Sequence, residues 1–204
     1  FNCIFYGPSI AVSPLNPDIS FIAQDYSHNW GSSRIAKYDR VTDQCETTWQ
    51  SISFCNGKES VISITNDGRY LMVCCTYTCK EYAVDSKSQT WSQSISLIGV
   101  QNSNPCVVRG LTYTLDGRAA YVTTKEDCGT YCDWGVIYKV DINSDRSTAS
   151  ISMWWNSLVQ FPPDGSGGWK LHELRNIEFD PSGTWLYVSD GAFLMRFDPL
   201  DASF

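Results

Sequence analysis

The stretch Leu111-Thr112-Tyr113-Thr114-Leu115-Asp116-Gly117-Arg118-Ala119-Ala120-Tyr121-Val122 decides the fold, because it reads as two alternating apolar strands joined by Asp-Gly and because the chain repeats it. The same phrase stands at residues 62–73 around Asp67-Gly68 and at 177–188 around Ser182-Gly183, with a looser copy at 10–23 around Asp18. Alternation with period 2 is the signature of a half-buried strand, and Asp-Gly between two such runs marks a hairpin, since glycine takes positive φ without steric cost. Turn positions recur after 49 residues from Asp18 to Asp67, after 49 again to Asp116, and after 66 to Ser182, so the last interval carries an insertion. Self-similarity at this period means units that bury their apolar faces only against one another.

Working outward, a third strand in each unit closes on aspartate, at Asp39, Asp85, Asp141 and Asp198. The triplets Ser51-Ile52-Ser53, Ser94-Ile95-Ser96 and Ser150-Ile151-Ser152 read as the start of a fourth strand. No segment has sustained helical periodicity. Four-stranded antiparallel meanders arranged radially give an all-β propeller, an architecture that leaves only short protected edges. The expected blades are 8–53, 54–96, 97–152 and 153–204, making one propeller domain. Residues 1–7, with the apolar run Phe1-Asn2-Cys3-Ile4-Phe5, are expected to supply either a closing strand or the end of a preceding blade. The last unit stops after its third strand, and the chain is expected to be either a four-blade ring or part of a larger propeller.

The 204 residues are 43% hydrophobic and 18% charged, a globular composition. No apolar run approaches the roughly 18–20 residues needed to cross a bilayer as a helix. A formal charge of −7 disfavours a nucleic-acid partner. Phe1 reads as a processed or truncated end. Nine cysteines favour disulfides and an extracellular, oxidising compartment. Cys75-x3-Cys79 and Cys128-x3-Cys132 have loosely zinc-like spacings, but the two histidines, His28 and His172, lie far from both in sequence. The expected bridges are Cys75–Cys79, Cys128–Cys132 and Cys45–Cys55. An odd total leaves one thiol over, for which Cys3 is the candidate. There is no Asn-x-Ser/Thr sequon.

Sorting loops by the meander places the long, Trp-bearing ones on one face: 26–33, 125–135 and 154–173. Trp30, Trp134, Trp154, Trp155 and Trp169 are therefore candidate binding residues, able to stack on sugar faces or on a partner protein's side chains. The alternative is that these indoles plug the blades and pack the core between them. Arg109 and Arg175 each precede an innermost strand, and two guanidiniums at the channel could hold a carboxylate or phosphate. The alternative is pairing with the chain's own acids, such as Glu173, Asp133 or Asp190. No Gly-x-Ser-x-Gly elbow is present, and His28 and His172 are the only candidate bases of histidine type.

The run Arg175-Asn176-Ile177-Glu178-Phe179-Asp180-Pro181-Ser182-Gly183-Thr184-Trp185-Leu186-Tyr187-Val188-Ser189-Asp190 resembles propellers of the NHL, lactonase and gluconolactonase kind. Such propellers mostly have more than four blades. The resemblance implies a divalent metal, calcium or another, held in the channel by acid and amide oxygens; Asn176, with Glu173 and His172 nearby, matches one such position. The equivalent place in the preceding unit is Gly110, which offers no ligand. The expected function is an extracellular interaction or structural module that binds protein or carbohydrate through its Trp-rich face, with self-assembly into a filament or coat as one form of it and no cofactor required. The rival is a lactonase-like hydrolase with a channel metal.

Overall fold

The computed structural model describes residues 9–24, 33–55, 60–75, 78–95, 107–127, 133–157, 174–190 and 193–203. The first sheet takes β1 (Ser9–Val12), β2 (Ile19–Gln24), β3 (Arg34–Asp39) and β4 (Gln44–Ser51) in that order, all antiparallel, followed by a short 3-10 turn (Ser53–Cys55). The second takes β5 (Ser60–Ile64), β6 (Tyr70–Cys75), β7 (Thr78–Ala83) and β8 (Gln89–Ser94). The third takes β9 (Val107–Tyr113), β10 (Ala119–Asp127), β11 (Asp133–Ile142) and β12 (Ala149–Asn156). The last is three-stranded, with β13 (Ile177–Phe179), β14 (Leu186–Ser189) and β15 (Leu194–Phe197). These are four propeller blades, as the repeat predicts. Among the described residues no helix is long and apolar enough to cross a membrane.

Blades stack through their faces, and strand alternation decides which residue meets which neighbour. In β6, Leu71, Val73 and Cys75 join Phe21, Ile35 and Trp49 of the first blade, while Met72 and Cys74 on the opposite face join Leu111, Tyr113 and Val122 of the third. The third and fourth blades meet through Tyr121, Ile137 and Trp155 on one side and Ile177, Leu186, Val188 and Phe197 on the other. Each of these side chains, fully buried, contributes about 1.5–3 kcal/mol. The innermost strands pack in series, β1 on β5, β5 on β9 and β9 on β13.

The repeated turns follow their sequence. Gly68 (φ 67°) donates its N–H to the Thr65 carbonyl at 2.8 Å, the Thr65 hydroxyl donates to Asp67 at 2.6 Å, and the Arg69 N–H donates to the same carboxylate at 3.1 Å. Thr114, Asp116 and Gly117 repeat this bond for bond. The loop between the strand ends is five residues, 65–69, rather than the two-residue form Asp-Gly alone would suggest, because Asp67 accepts from both sides and holds a wider turn.

Two expectations are corrected. The Ser-Ile-Ser triplets do not start the fourth strand in every blade: Ser51 and Ser94 end β4 and β8, with Ile52 and Ile95 buried just beyond, and only Ser150-Ile151-Ser152 lies near a strand start. The disulfides also pair otherwise. Cys55 bonds Cys75 (Cα–Cα 5.4 Å) and Cys74 bonds Cys79 (Cα–Cα 4.1 Å), so neither Cys75–Cys79 nor Cys45–Cys55 forms. The reason is register: Cys74 stands directly opposite Cys79, which leaves Cys75 on the face towards the first blade, where Cys55 arrives. Cys45 is disulfide-bonded as well. Cys3, Cys128 and Cys132 lie outside the described residues, as does the strand expected at 1–7.

Candidate functional site

The innermost strands enclose a concave groove of about 550 Å³. Its apolar lining is alternation seen edge-on, and its polar lining includes Ser63, Asn66, Arg109, Thr112, Asn176 and Glu178. Glu178 sits between Ile177 and Phe179, which turn into the third blade, so the strand period carries its carboxylate to the open side. The Thr112 hydroxyl donates to Glu178 Oε1 at 3.1 Å. Loss of water raises the pKa of this carboxyl above its ordinary value, opposed by the Thr112 hydroxyl and the Phe179 N–H.

Arg109 lies where the β9–β10 register slips between Thr123 and Thr124, a bulge that turns one residue out of the ladder. It lines the groove, half-buried. Arg175 does not: it is exposed and outside the lining, so Arg109 alone of the predicted pair lines the groove. The main chain of Arg175 has a different role. Its carbonyl accepts from the Thr123 hydroxyl at 3.0 Å and would lie 2.6 Å from a Cβ at position 110. Gly110 is thus glycine because the main chain of Arg175 and Ile177, at the start of the next innermost strand, passes too close for a side chain. Asn176 lines the groove, anchored by reciprocal bonds between its own backbone and Ser189 at 3.0 and 3.2 Å.

Asn176, Glu178 and Thr112 bring oxygens to the groove; calcium takes six to eight oxygen ligands, so a channel ion would need further ligands beside these. Among the described residues no group of three His, Cys, Asp or Glu side chains could hold a metal. Glu173, His172 and His28 lie outside the described residues, and no chemical step is derived through a metal.

The Trp candidates separate. Trp154 and Trp155 are strand residues of β12, not loop residues, and both pack between the third and fourth blades. Trp155 stands edge-on to Phe197 at 5.3 Å, and Trp154 edge-on to Tyr121 at 5.0 Å and to Phe197 at 5.7 Å. Neighbouring residues normally point to opposite faces. Here the register slips, pairing Ile137 with Trp155 and Tyr138 with Met153, and Trp154 is the extra residue that lets both indoles reach one core. Trp134 is the second residue of β11; Trp30 and Trp169 lie outside the described residues.

Sequence reasoning missed a second polar cluster, between the second and third blades. Glu81 on β7 is fully buried; it accepts from the Tyr113 hydroxyl at 2.7 Å, from the Thr90 hydroxyl at 2.8 Å and from Arg146 Nε at 2.9 Å. A second bond joins Arg146 Nη2 to the other carboxylate oxygen. Arg146 also lies over the Tyr70 ring, 3.9 Å from its centroid, and donates to the Gly117 carbonyl at 2.9 Å. Burial, with Glu81 alongside, raises the Tyr113 pKa well above the ordinary phenol value. The cluster has its polar atoms consumed internally and joins blades. The one signal in the sequence is Glu81 itself, an acid in an alternating apolar strand.

Three solved structures share the architecture. A hypothetical selenium-binding protein from Sulfolobus tokodaii superposes with a TM-score of 0.59 at 10% identity, over 90% of this chain and 45% of that one. A 6-phosphogluconolactonase-like protein from Bacteroides uniformis gives 0.60 at 11% identity, over 100% and 57%. Dihydro-heme d1 dehydrogenase NirN in complex with DHE gives 0.56 at 12% identity, over 98% and 35%. The fold is that of a propeller. At such identities the likeness concerns the fold alone, and the chain spans about half the length of the first two. No family model matches the chain, and no curated protein matches it in sequence.

Proposed function

We propose that the chain is an extracellular, disulfide-braced propeller that recognises a polyhydroxylated ligand, a carbohydrate, at the groove of its innermost strands. The observation that carries this reading is the polar lining. Hydroxyls, amides, the Glu178 carboxylate and Arg109 can exchange hydrogen bonds with sugar hydroxyls, and about 550 Å³ accommodates a small ligand. The bonded cysteines support an oxidising compartment. Trp30, Trp134 and Trp169 remain candidates for stacking on such a ligand or on a partner protein.

A glycan array followed by calorimetric titration of any hit tests this. Glu178→Gln and Thr112→Val are expected to weaken binding about tenfold each; a hit insensitive to both, or no hit at all, overturns the groove as the site. A second reading, a lactonase-like hydrolase, draws on Asn176 in the groove and on the fold shared with a 6-phosphogluconolactonase-like protein. It predicts lactone turnover that is abolished by chelation and restored by calcium or another divalent ion.

A further inference from the structure

Among the described residues, Arg109 and Glu178 are the charged side chains of the groove lining, and the strands set where each stands. Arg109 and Thr112 lie three residues apart on β9, about 10 Å of extended chain, and Glu178 is joined to Thr112. The groove therefore has a basic end at Arg109 and an acidic end at Glu178. The polar lining around them is neutral: the hydroxyls of Ser63, Thr112 and Thr114 and the amides of Asn66 and Asn176.

The acidic end is held but not neutralised. Thr112 donates to Glu178 Oε1, and Oε2 receives no hydrogen bond from a described residue. No described Lys or Arg forms an ion pair with Glu178. Arg196 stands on the same sheet face, because Glu178 pairs with Tyr187 and Tyr187 with Arg196. That guanidinium is two strands away and lies over the Trp185 ring, 4.3 Å from its centroid. Loss of water raises the Glu178 pKa, opposed by the Thr112 hydroxyl and the Phe179 N–H and by no cation. A carboxylate fixed in this way binds a cationic donor more strongly than a neutral one, since charge-assisted hydrogen bonds are about twice as strong.

We propose that the ligand of the groove is an amino sugar with a free ammonium group, which donates to Glu178 Oε2 while oxygens of the same saccharide accept from Arg109 and its hydroxyls meet Asn176 and Thr114. This rests on the groove being a carbohydrate site and names the class of carbohydrate. The amine belongs to a sugar rather than to a lysine side chain because the neutral lining offers a row of hydroxyls and amides. The aliphatic stem of a lysine would cover those groups without bonding them, at a cost for each.

Calorimetric titration of the 204-residue chain near pH 6 with three β-1,4-linked trisaccharides tests it: the glucosamine trimer, its fully N-acetylated counterpart and the glucose trimer. The wild type is expected to bind the glucosamine trimer at least tenfold more tightly than either of the others. Glu178→Gln, whose amide oxygen can still accept from Thr112, is expected to reduce that preference to within about threefold. Asp145→Asn makes the same change of net charge in a turn outside the groove lining and is expected to keep it. Circular dichroism and Tm control for folding. Binding of the neutral trimers without preference for the amine overturns the inference and leaves the groove a carbohydrate site. Binding of none of the three also overturns it, and the glycan array then decides separately whether the groove takes another carbohydrate. A preference that survives Glu178→Gln, or trilysine bound as tightly as the glucosamine trimer, overturns it as well.

Discussion

Arg146, in the last turn of the third blade, grips the fully buried carboxylate of Glu81 on the second blade through two hydrogen bonds. The pair spans 65 residues of sequence, and Tyr113 and Thr90 complete the coordination of the acid. A buried pair broken on one side leaves an uncompensated charge. Arg146→Met is therefore expected to cost about 3–5 kcal/mol in urea denaturation, and Glu81→Leu/Arg146→Met to regain most of it. A double variant no more stable than the single one would contradict this account.

Gly110→Ala is the sharpest steric test. The added methyl would lie 2.6 Å from the Arg175 carbonyl and 2.9 Å from the Ile177 N–H, both main-chain atoms that cannot rotate away. A loss of about 1–3 kcal/mol is expected from overpacking, with increased amide exchange along β13. Ala at 110 with unchanged stability would mean that the two innermost strands lie further apart than described.

The same glycine shows how much of this molecule was legible in the sequence. Period-2 phrases, Asp-Gly turns and the 49-residue interval led to four blades because those signals are local. Gly110 was read as a missing ligand, when its reason is the Arg175 main chain 65 residues away. Trp154 and Trp155 read as loop residues because a bulge leaves no mark in the sequence; the expected Cys75–Cys79 bridge is one residue away from Cys74–Cys79 because register across β6 and β7 decides it, and Cys55 pairs across blades with Cys75, a contact that spacing does not show. Glu178 drew no notice as a site residue. An acid between two apolar residues in a short strand looks like a solvated face until the third blade supplies Thr112.

Cys55–Cys75 closes a loop with a sequence separation of 20 between the first blade's end and the second blade. Replacing both cysteines by serine is expected to cost about 3 kcal/mol, read as a lower denaturation midpoint at unchanged slope. Reductant is expected to lower the Tm of the wild type and to have a smaller effect on the double serine variant.

Acid titration is expected to give opposing slopes. Asp67, held by the Thr65 hydroxyl and the Arg69 N–H, and Asp116, held by the Thr114 hydroxyl and the Arg118 N–H, have pKa values below the usual carboxylate value. Their contribution is complete above the unfolded-state pKa and is lost as pH falls through the lower folded one. Glu178 is displaced upward, so its contribution runs the other way: it is greatest below the unfolded-state pKa and fades as pH rises through the folded one. Tm measured from pH 2 to 7 should therefore fall less steeply on acidification in Thr65→Ala/Thr114→Ala. In Glu178→Gln it should fall more steeply. A parallel profile in either variant would remove that assignment.

Adjacent residues on a strand face opposite ways, and Cys74 and Cys75 turn this into mechanics. One sulfur is tethered across the hairpin towards the third blade's side and the other back to the first blade's end. Force or heat applied to the chain meets its firmest knot near residue 75, while among the described residues the first sheet packs on the second and the fourth on the third. Opening is expected to peel inward from the two rims, so that amides of β1 and β14 exchange first and those of β6 last.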